Sequence, residues 1–117
     1  MDFNQNKPIY LQIADSICEK ILSGEYLPDE RILSVRELGI SLGVNPNTIA
    51  RVYEHLQGME IIYNKRGIGY FVAPDAPEKV LKSHREEFLR NELPAVVKKM
   101  KLLGIPLEEL ERMFTGE

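Results

Sequence analysis

From Gly43 to Leu56 the chain reads Gly-Val-Asn-Pro-Asn-Thr-Ile-Ala-Arg-Val-Tyr-Glu-His-Leu, and this stretch restricts the fold more than any other. Gly43 follows an apolar-periodic segment and suits the left-handed position that closes a helix. Asn45 is a good N-cap, and Pro46 fits the first helical position, where its missing N–H costs nothing. Ile49, Val52, Tyr53 and Leu56 then fall at i, i+3, i+4 and i+7, one inward stripe. The spacing predicts a helix, a tight turn and a second helix, a helix-turn-helix. The outer face of that second helix opens with Asn47, Thr48 and Arg51. These are short polar groups and one guanidinium, the kind that reach phosphate oxygens and base edges.

The flanking text supplies the rest of a domain. A first helix is expected from about Pro8 to Ser23, with Ile9, Ile13, Ile17 and Ile21 on one face and Gly24 just past its end. The residues before it look frayed. Glu25 to Leu33 reads as a loop marked by Pro28-Asp29. Ser34-Val35-Arg36-Glu37 has the capping-box pattern and starts a short helix through Leu38 and Leu42. After Gly58 the rhythm changes. Ile61, Ile62 and Tyr63 form a short strand, Asn64-Lys65-Arg66-Gly67 turns, and Tyr70, Phe71 and Val72 return. Three helices followed by a hairpin is the order of a winged helix-turn-helix, mainly α with a small β-hairpin. The basic tip, Lys65-Arg66-Gly67, is then a wing suited to a minor groove or to phosphates.

Pro74, Ala76 and Pro77 mark a boundary. It divides a winged helix-turn-helix DNA-binding domain at 1–74 from a C-terminal helical dimerisation segment at 75–117. In the segment, Val80, Leu81, His84, Phe88, Leu93, Val97 and Met100 recur at helical spacings. Leu110, Met113 and Phe114 do so in a last short helix beyond Gly104. Pro94 is expected to kink the long helix or split it. Two amphipathic helices cannot bury so many apolar groups by themselves. A second copy of the chain is the economical cover, which makes these the candidate dimerisation residues.

Charge tempers the nucleic-acid reading without removing it. The chain has 117 residues and a formal net charge of −3, which alone argues against phosphate attraction. Between Arg31 and Arg66, however, five basic residues stand against three acidic ones, a local excess of +2. A protein with this balance is expected to bind weakly as a monomer and to need two copies for useful affinity. No run approaches the length of a membrane span, and no signal-peptide pattern opens the chain. The single cysteine, Cys18, lies in an apolar helical stripe. A cytoplasmic protein with a buried thiol is expected.

These residues carry a family resemblance. Pro8-Ile9-Tyr10-Leu11-Gln12-Ile13, Ser34-Val35-Arg36-Glu37-Leu38 and Leu42-Gly43-Val44-Asn45-Pro46-Asn47-Thr48 match in order. Arg51-Val52-Tyr53 and Arg66-Gly67-Ile68-Gly69-Tyr70-Phe71-Val72 complete the match. The chain resembles bacterial GntR-type regulators, most closely the short YtrA-like subfamily. The resemblance implies a homodimeric transcription factor that binds double-stranded DNA at an inverted-repeat operator, commonly as a repressor of its own operon. It implies that Arg36, at the start of the second helix, touches DNA. Asn45, Pro46, Asn47 and Thr48 match the start of the recognition helix, and Arg66 and Gly67 match the wing tip. With Ser34, Arg51 and Lys65 these form the candidate DNA-binding set. Ala50 stands where larger relatives often place an arginine, and Arg51 fits the YtrA-like pattern. Two departures fall in the approach to the second helix: Pro28-Asp29 for the usual Pro-Gly, and Ile32-Leu33-Ser34 for Leu-Pro-Ser. The larger subfamilies carry an effector or aminotransferase-like domain after the wing, for which about forty residues do not suffice.

Other chemistry finds little footing. No nucleophile stands beside a base, and no phosphate-cradling glycine loop occurs, so no catalytic role is expected. His84 beside Glu86 and Glu87 lacks a second ligand at metal spacing, so no metal or cofactor is expected. Tyr53 reads as packing at the edge of the core rather than a base contact. No small-molecule effector is specified by any motif. The rival from another class is a winged helix used as a protein-interaction module without specific DNA binding, which the acidic balance suits.

Overall fold

The computed structural model describes residues 7–116, so the frayed start expected of the opening residues lies outside the described part. Helix α1 spans Ile9–Leu22, α2 Val35–Leu42 and α3 Pro46–Gly58. Strands β1, Ile62–Lys65, and β2, Gly69–Val72, form the hairpin, and α4 follows at Ala76–Glu87. The chain is mainly helical with one antiparallel hairpin, as expected of a winged helix. It divides into two compact units, the first ending at Leu81 and the second starting at Lys82.

The first unit is built on one apolar core. Ile13, Ala14, Ile17, Cys18 and Ile21 of α1 meet Leu38 of α2 and the α3 stripe Ile49, Val52, Tyr53 and Leu56. Ile61, Ile62 and Val72 close it from the hairpin. Each fully buried side chain of this size contributes about 1.5–3 kcal/mol. Ile9, expected on the same stripe as Ile13, is exposed instead. A spacing of four overshoots the 3.6-residue turn, so the row drifts off the buried face by its end.

The turn between α2 and α3 follows its local signals. Gly43 closes α2 in the left-handed conformation at φ 67°. The Asn45 side chain accepts the Asn47 N–H at 2.8 Å. Gly39, inside α2, is required by a close approach. A Cβ there would lie 2.9 Å from the Val44 carbonyl oxygen.

The hairpin differs from its sequence reading in two ways. Asn64 and Lys65 belong to β1, pairing with Tyr70 and Gly69, so the turn itself is Arg66-Gly67-Ile68. The stretch read as a loop also joins the sheet. Asp29 N–H donates to Val72 O at 2.7 Å, Val72 N–H to Glu30 O at 2.9 Å, and Ile32 N–H to Tyr70 O at 3.0 Å. β2 is therefore paired along both edges. Asp29 takes φ 63°, and its carboxylate accepts the Tyr63 hydroxyl at 2.8 Å.

The boundary expected at 74/75 lies later. Pro74 and Asp75 lead into α4, whose first turns carry Ala76 and Val80, both fully buried in the first unit. Val80 therefore takes no part in an exposed dimerisation face. Spacing of three and four shows that a helix has an apolar side, not which surface covers it. Lys79 holds this start of α4 in place, pairing with Glu60 at 3.2 Å and Asp75 at 3.3 Å.

In the second unit the expected break at Pro94 takes a particular form. Phe88–Glu92 is a π-helical segment, followed by α5 at Leu93–Leu103 and α6 at Leu107–Thr115. The Leu93 N–H bonds to Phe88 O, five residues back. Pro94 has no N–H, and its ring crowds the carbonyl four residues earlier. The widened turn accommodates both. Gly104 closes α5 in the left-handed conformation.

Candidate nucleic-acid interface

Three elements of the first unit carry the candidate DNA-binding residues. The start of α3 presents Asn47 and Arg51 exposed and Thr48 half-buried, with Pro46 in its first turn. The hairpin tip presents Lys65, Arg66 and Gly67, all exposed. Arg36 stands exposed in the first turn of α2. Among the described residues neither Arg36 nor Arg66 is engaged in a hydrogen bond, ion pair or ring contact. Both guanidiniums are thus available to phosphate oxygens, which bind them bidentately.

Ser34 and Asn45 serve first as caps. The Ser34 hydroxyl accepts the Glu37 N–H at 3.0 Å, and the Glu37 carboxylate accepts the Ser34 N–H at 2.9 Å, a complete capping box. The Ser34 N–H on its carboxylate, and after it the Ser34 hydroxyl, hold the Glu37 carboxyl below its ordinary range, with a smaller contribution from the Arg31 charge. Both side chains thereby fix where α2 and α3 begin, which is where Arg36 and Asn47 project.

Aromatic rings support two of the cations. The Arg51 guanidinium carbon lies 4.0 Å from the centroid of Tyr10, at the start of α1. The Lys65 ammonium lies 4.7 Å from the centroid of Phe71, which stacks on Tyr63 at 5.6 Å. Stacked cations of this kind gain about 0.5–1 kcal/mol at exposed sites.

Arg31, which the sequence reading counted only as one of the basic residues, makes a long-range contact near the site. Its Nε donates to Ile68 O at 3.3 Å, tying the segment before α2 to the hairpin tip. A Cβ at Gly69 would sit 2.9 Å from that Nε, and Gly69 takes φ 144°. The glycine leaves room for the arginine that braces the wing. Nothing local to Arg31 signals this, because its partner is 37 residues away.

The candidate dimerisation residues form a second exposed set. No side chain of the π-helical segment, α5 or α6 is buried. Met113 and Phe114 are 75% and 91% exposed, and Leu81, Phe88, Val97 and Leu110 are also exposed. His84, Leu93 and Met100 are half-buried. Leu103 and Leu107, which continue the same helical spacings, are exposed too, and so is Leu102, which the spacing did not single out. Among the described residues no helix is long and apolar enough to cross a membrane.

A helix-turn-helix that exposes short polar groups and an arginine, followed by a hairpin with a basic tip, defines a winged-helix DNA-binding protein. Residues 9–72 match the family of bacterial regulatory proteins, gntR family. The chain is 41% identical over 108 residues to an uncharacterized HTH-type transcriptional regulator of Bacillus subtilis, YhcF, covering 92% of this chain and 88% of that one. It is 29% identical over 110 residues to the B. subtilis HTH-type transcriptional repressor YtrA, covering 94% and 84%. A GntR family transcriptional regulator from Listeria monocytogenes has the same fold, with a TM-score of 0.77 at 35% identity over 98% and 99% of the two chains. The chain belongs to the GntR family and is YtrA-like within it. It is a DNA-binding transcriptional regulator, not an enzyme.

Proposed function

We propose that the chain acts as a homodimeric, cytoplasmic repressor that occludes a promoter by binding an inverted-repeat operator. The observation that carries the reading is the exposed constellation of Arg36, Arg51, Lys65 and Arg66 on the helix-turn-helix and wing. α3 enters the major groove with Asn47, Thr48 and Arg51, while Arg36 and the wing hold the flanking backbone.

Dimer formation is supported by the second unit, where no side chain of α5 or α6 is buried. Apolar faces this open mark a surface that another protein covers. A second copy supplies the same face by symmetry, and two-fold protein symmetry calls for a two-fold operator. Repression is supported by likeness to YtrA, which is named a repressor. Release requires a second state in which the half-sites are spaced differently, biased by a small molecule or a protein partner at the C-terminal helices.

Salt-titrated binding to duplex DNA, with sedimentation equilibrium on the free protein, tests the reading. A dimer at micromolar concentration and a steep fall in affinity with added salt are expected. A monomer whose weak DNA binding ignores salt would instead favour a protein-docking module.

A further inference from the structure

Arg51 is the one lysine or arginine of α3, and so the one long cationic donor the recognition helix offers a base edge. Its guanidinium rests on the ring of Tyr10, 4.0 Å from the centroid. Tyr10 does not belong to the helix-turn-helix pair. It is the second residue of α1, half-buried and packed against the core. The same ring meets His55 edge-on, centroids 6.0 Å apart at 85°. His55 lies one turn beyond Arg51 on the same helix, so Tyr10 is fixed both by the core and by α3. A free arginine samples many rotamers, and holding it flat on a ring lessens what it must lose on binding. A planar guanidinium held in one orientation is suited to the paired acceptors O6 and N7 of guanine.

Building on the DNA-reading function above, we propose that Tyr10 is a positioning residue for base recognition. It holds Arg51 in the orientation that reads a guanine in each half-site. Sequence preference at that base then depends on α1 as well as on the recognition helix. Asn47 and Thr48 are too short to need such support. Lys65 on Phe71 is a compact point charge, whose support affects affinity without selecting a base.

The test is selection from random duplex DNA followed by sequencing, run in parallel on the wild type, Arg51→Ala, Tyr10→Phe, Tyr10→Leu and Tyr10→Met. Thermal melting is recorded for each. Leucine and methionine keep apolar bulk without a π face, and whichever melts close to the wild type is used. The wild type is expected to enrich a site with a guanine at one position per half-site that Arg51→Ala no longer selects. Tyr10→Leu or Tyr10→Met weakens preference at that position by about two- to fivefold, and Tyr10→Phe keeps it. Unchanged preference in the leucine and methionine variants overturns the proposal. So does a loss spread evenly over all positions, or a sharper guanine preference, which would mean that the ring sequesters Arg51. Enrichment by the wild type with no guanine sensitive to Arg51 overturns it while leaving DNA reading intact. No enrichment by the wild type overturns both.

Discussion

The Tyr53 hydroxyl donates a 2.6 Å hydrogen bond to the Leu33 carbonyl oxygen. Tyr53 is 1% exposed in the middle of α3, and Leu33 immediately precedes the capping serine of α2. One bond thus ties the recognition helix to the entry of the helix that precedes it. Burial also holds the Tyr53 phenol protonated well above its ordinary range, the charges of Tyr26, Tyr70 and Glu37 adding to the shift. Buried and bonded in this way, the tyrosine belongs to the frame that aims α3.

Tyr53→Phe therefore loses the bond and keeps the packing. Urea denaturation should show a loss of about 1 kcal/mol, the ordinary net worth of such a bond. Base preference in DNA selection should stay the same, because no DNA-facing atom is removed. A change in preference would place the phenol at the DNA instead.

Gly39 and Gly58 should respond in opposite directions. A Cβ at Gly39 meets the Val44 carbonyl at 2.9 Å, and one at Gly58 meets nothing within 4 Å. Gly39→Ala should destabilise by roughly 1–3 kcal/mol through overpacking of the turn. Gly58→Ala, at the end of α3, should stabilise by about 0.4–1 kcal/mol by restricting the unfolded chain. Denaturation midpoints of the two variants check both signs.

Stability should fall at both ends of the pH range, for different reasons. Burial, with Asp15 and Glu19 nearby, pushes the Cys18 thiol from 9.0 up to about 12. The folded state thus holds its proton more tightly than the unfolded one. That stabilisation is fully present below pH 9.0 and is lost as pH rises towards about 12. A disulfide-exchange reagent at neutral pH should leave Cys18 untouched in native protein and label it in urea. Glu37 shifts the other way, held low by its bonds to Ser34. Its contribution is present above the ordinary glutamate range, about pH 4.3, and is lost as pH falls through the lower folded value. Glu37→Gln should flatten the acid limb of a stability profile and leave the alkaline limb as it was.

Arg36→Ala and Arg66→Ala should weaken binding to all duplex sequences alike. Each removes one phosphate contact per protomer, two in the bound dimer, so the slope of log affinity against log salt should become shallower by about 1.8. Arg51→Ala should instead relax preference at particular bases.

The parts of the site legible in the sequence are those set by spacing within a few residues. The Ser34–Glu37 box, the left-handed Gly43 and the Asn45 cap each involve partners no more than a turn apart, and all three are present. The α3 stripe was legible for the same reason. What escaped depends on chain segments brought together from a distance. Arg31 reaches Ile68 across 37 residues, and Tyr10 on α1 lies under Arg51 on α3. Val80 carried the right periodicity but the wrong partner, because its stripe faces the first unit's own core. The loop before α2 became an edge of the wing because the free edge of β2 needs hydrogen-bond partners, a demand invisible in residues 25–33 alone.

The most direct measurement is selection of random duplex DNA by the wild-type protein, alongside Arg36→Ala and Arg51→Ala. Enrichment of a single inverted repeat is expected, with affinity lowered by the first substitution and base preference relaxed by the second. Failure of the wild type to enrich any sequence, or enrichment of a site without two-fold symmetry, would contradict a dimeric reader.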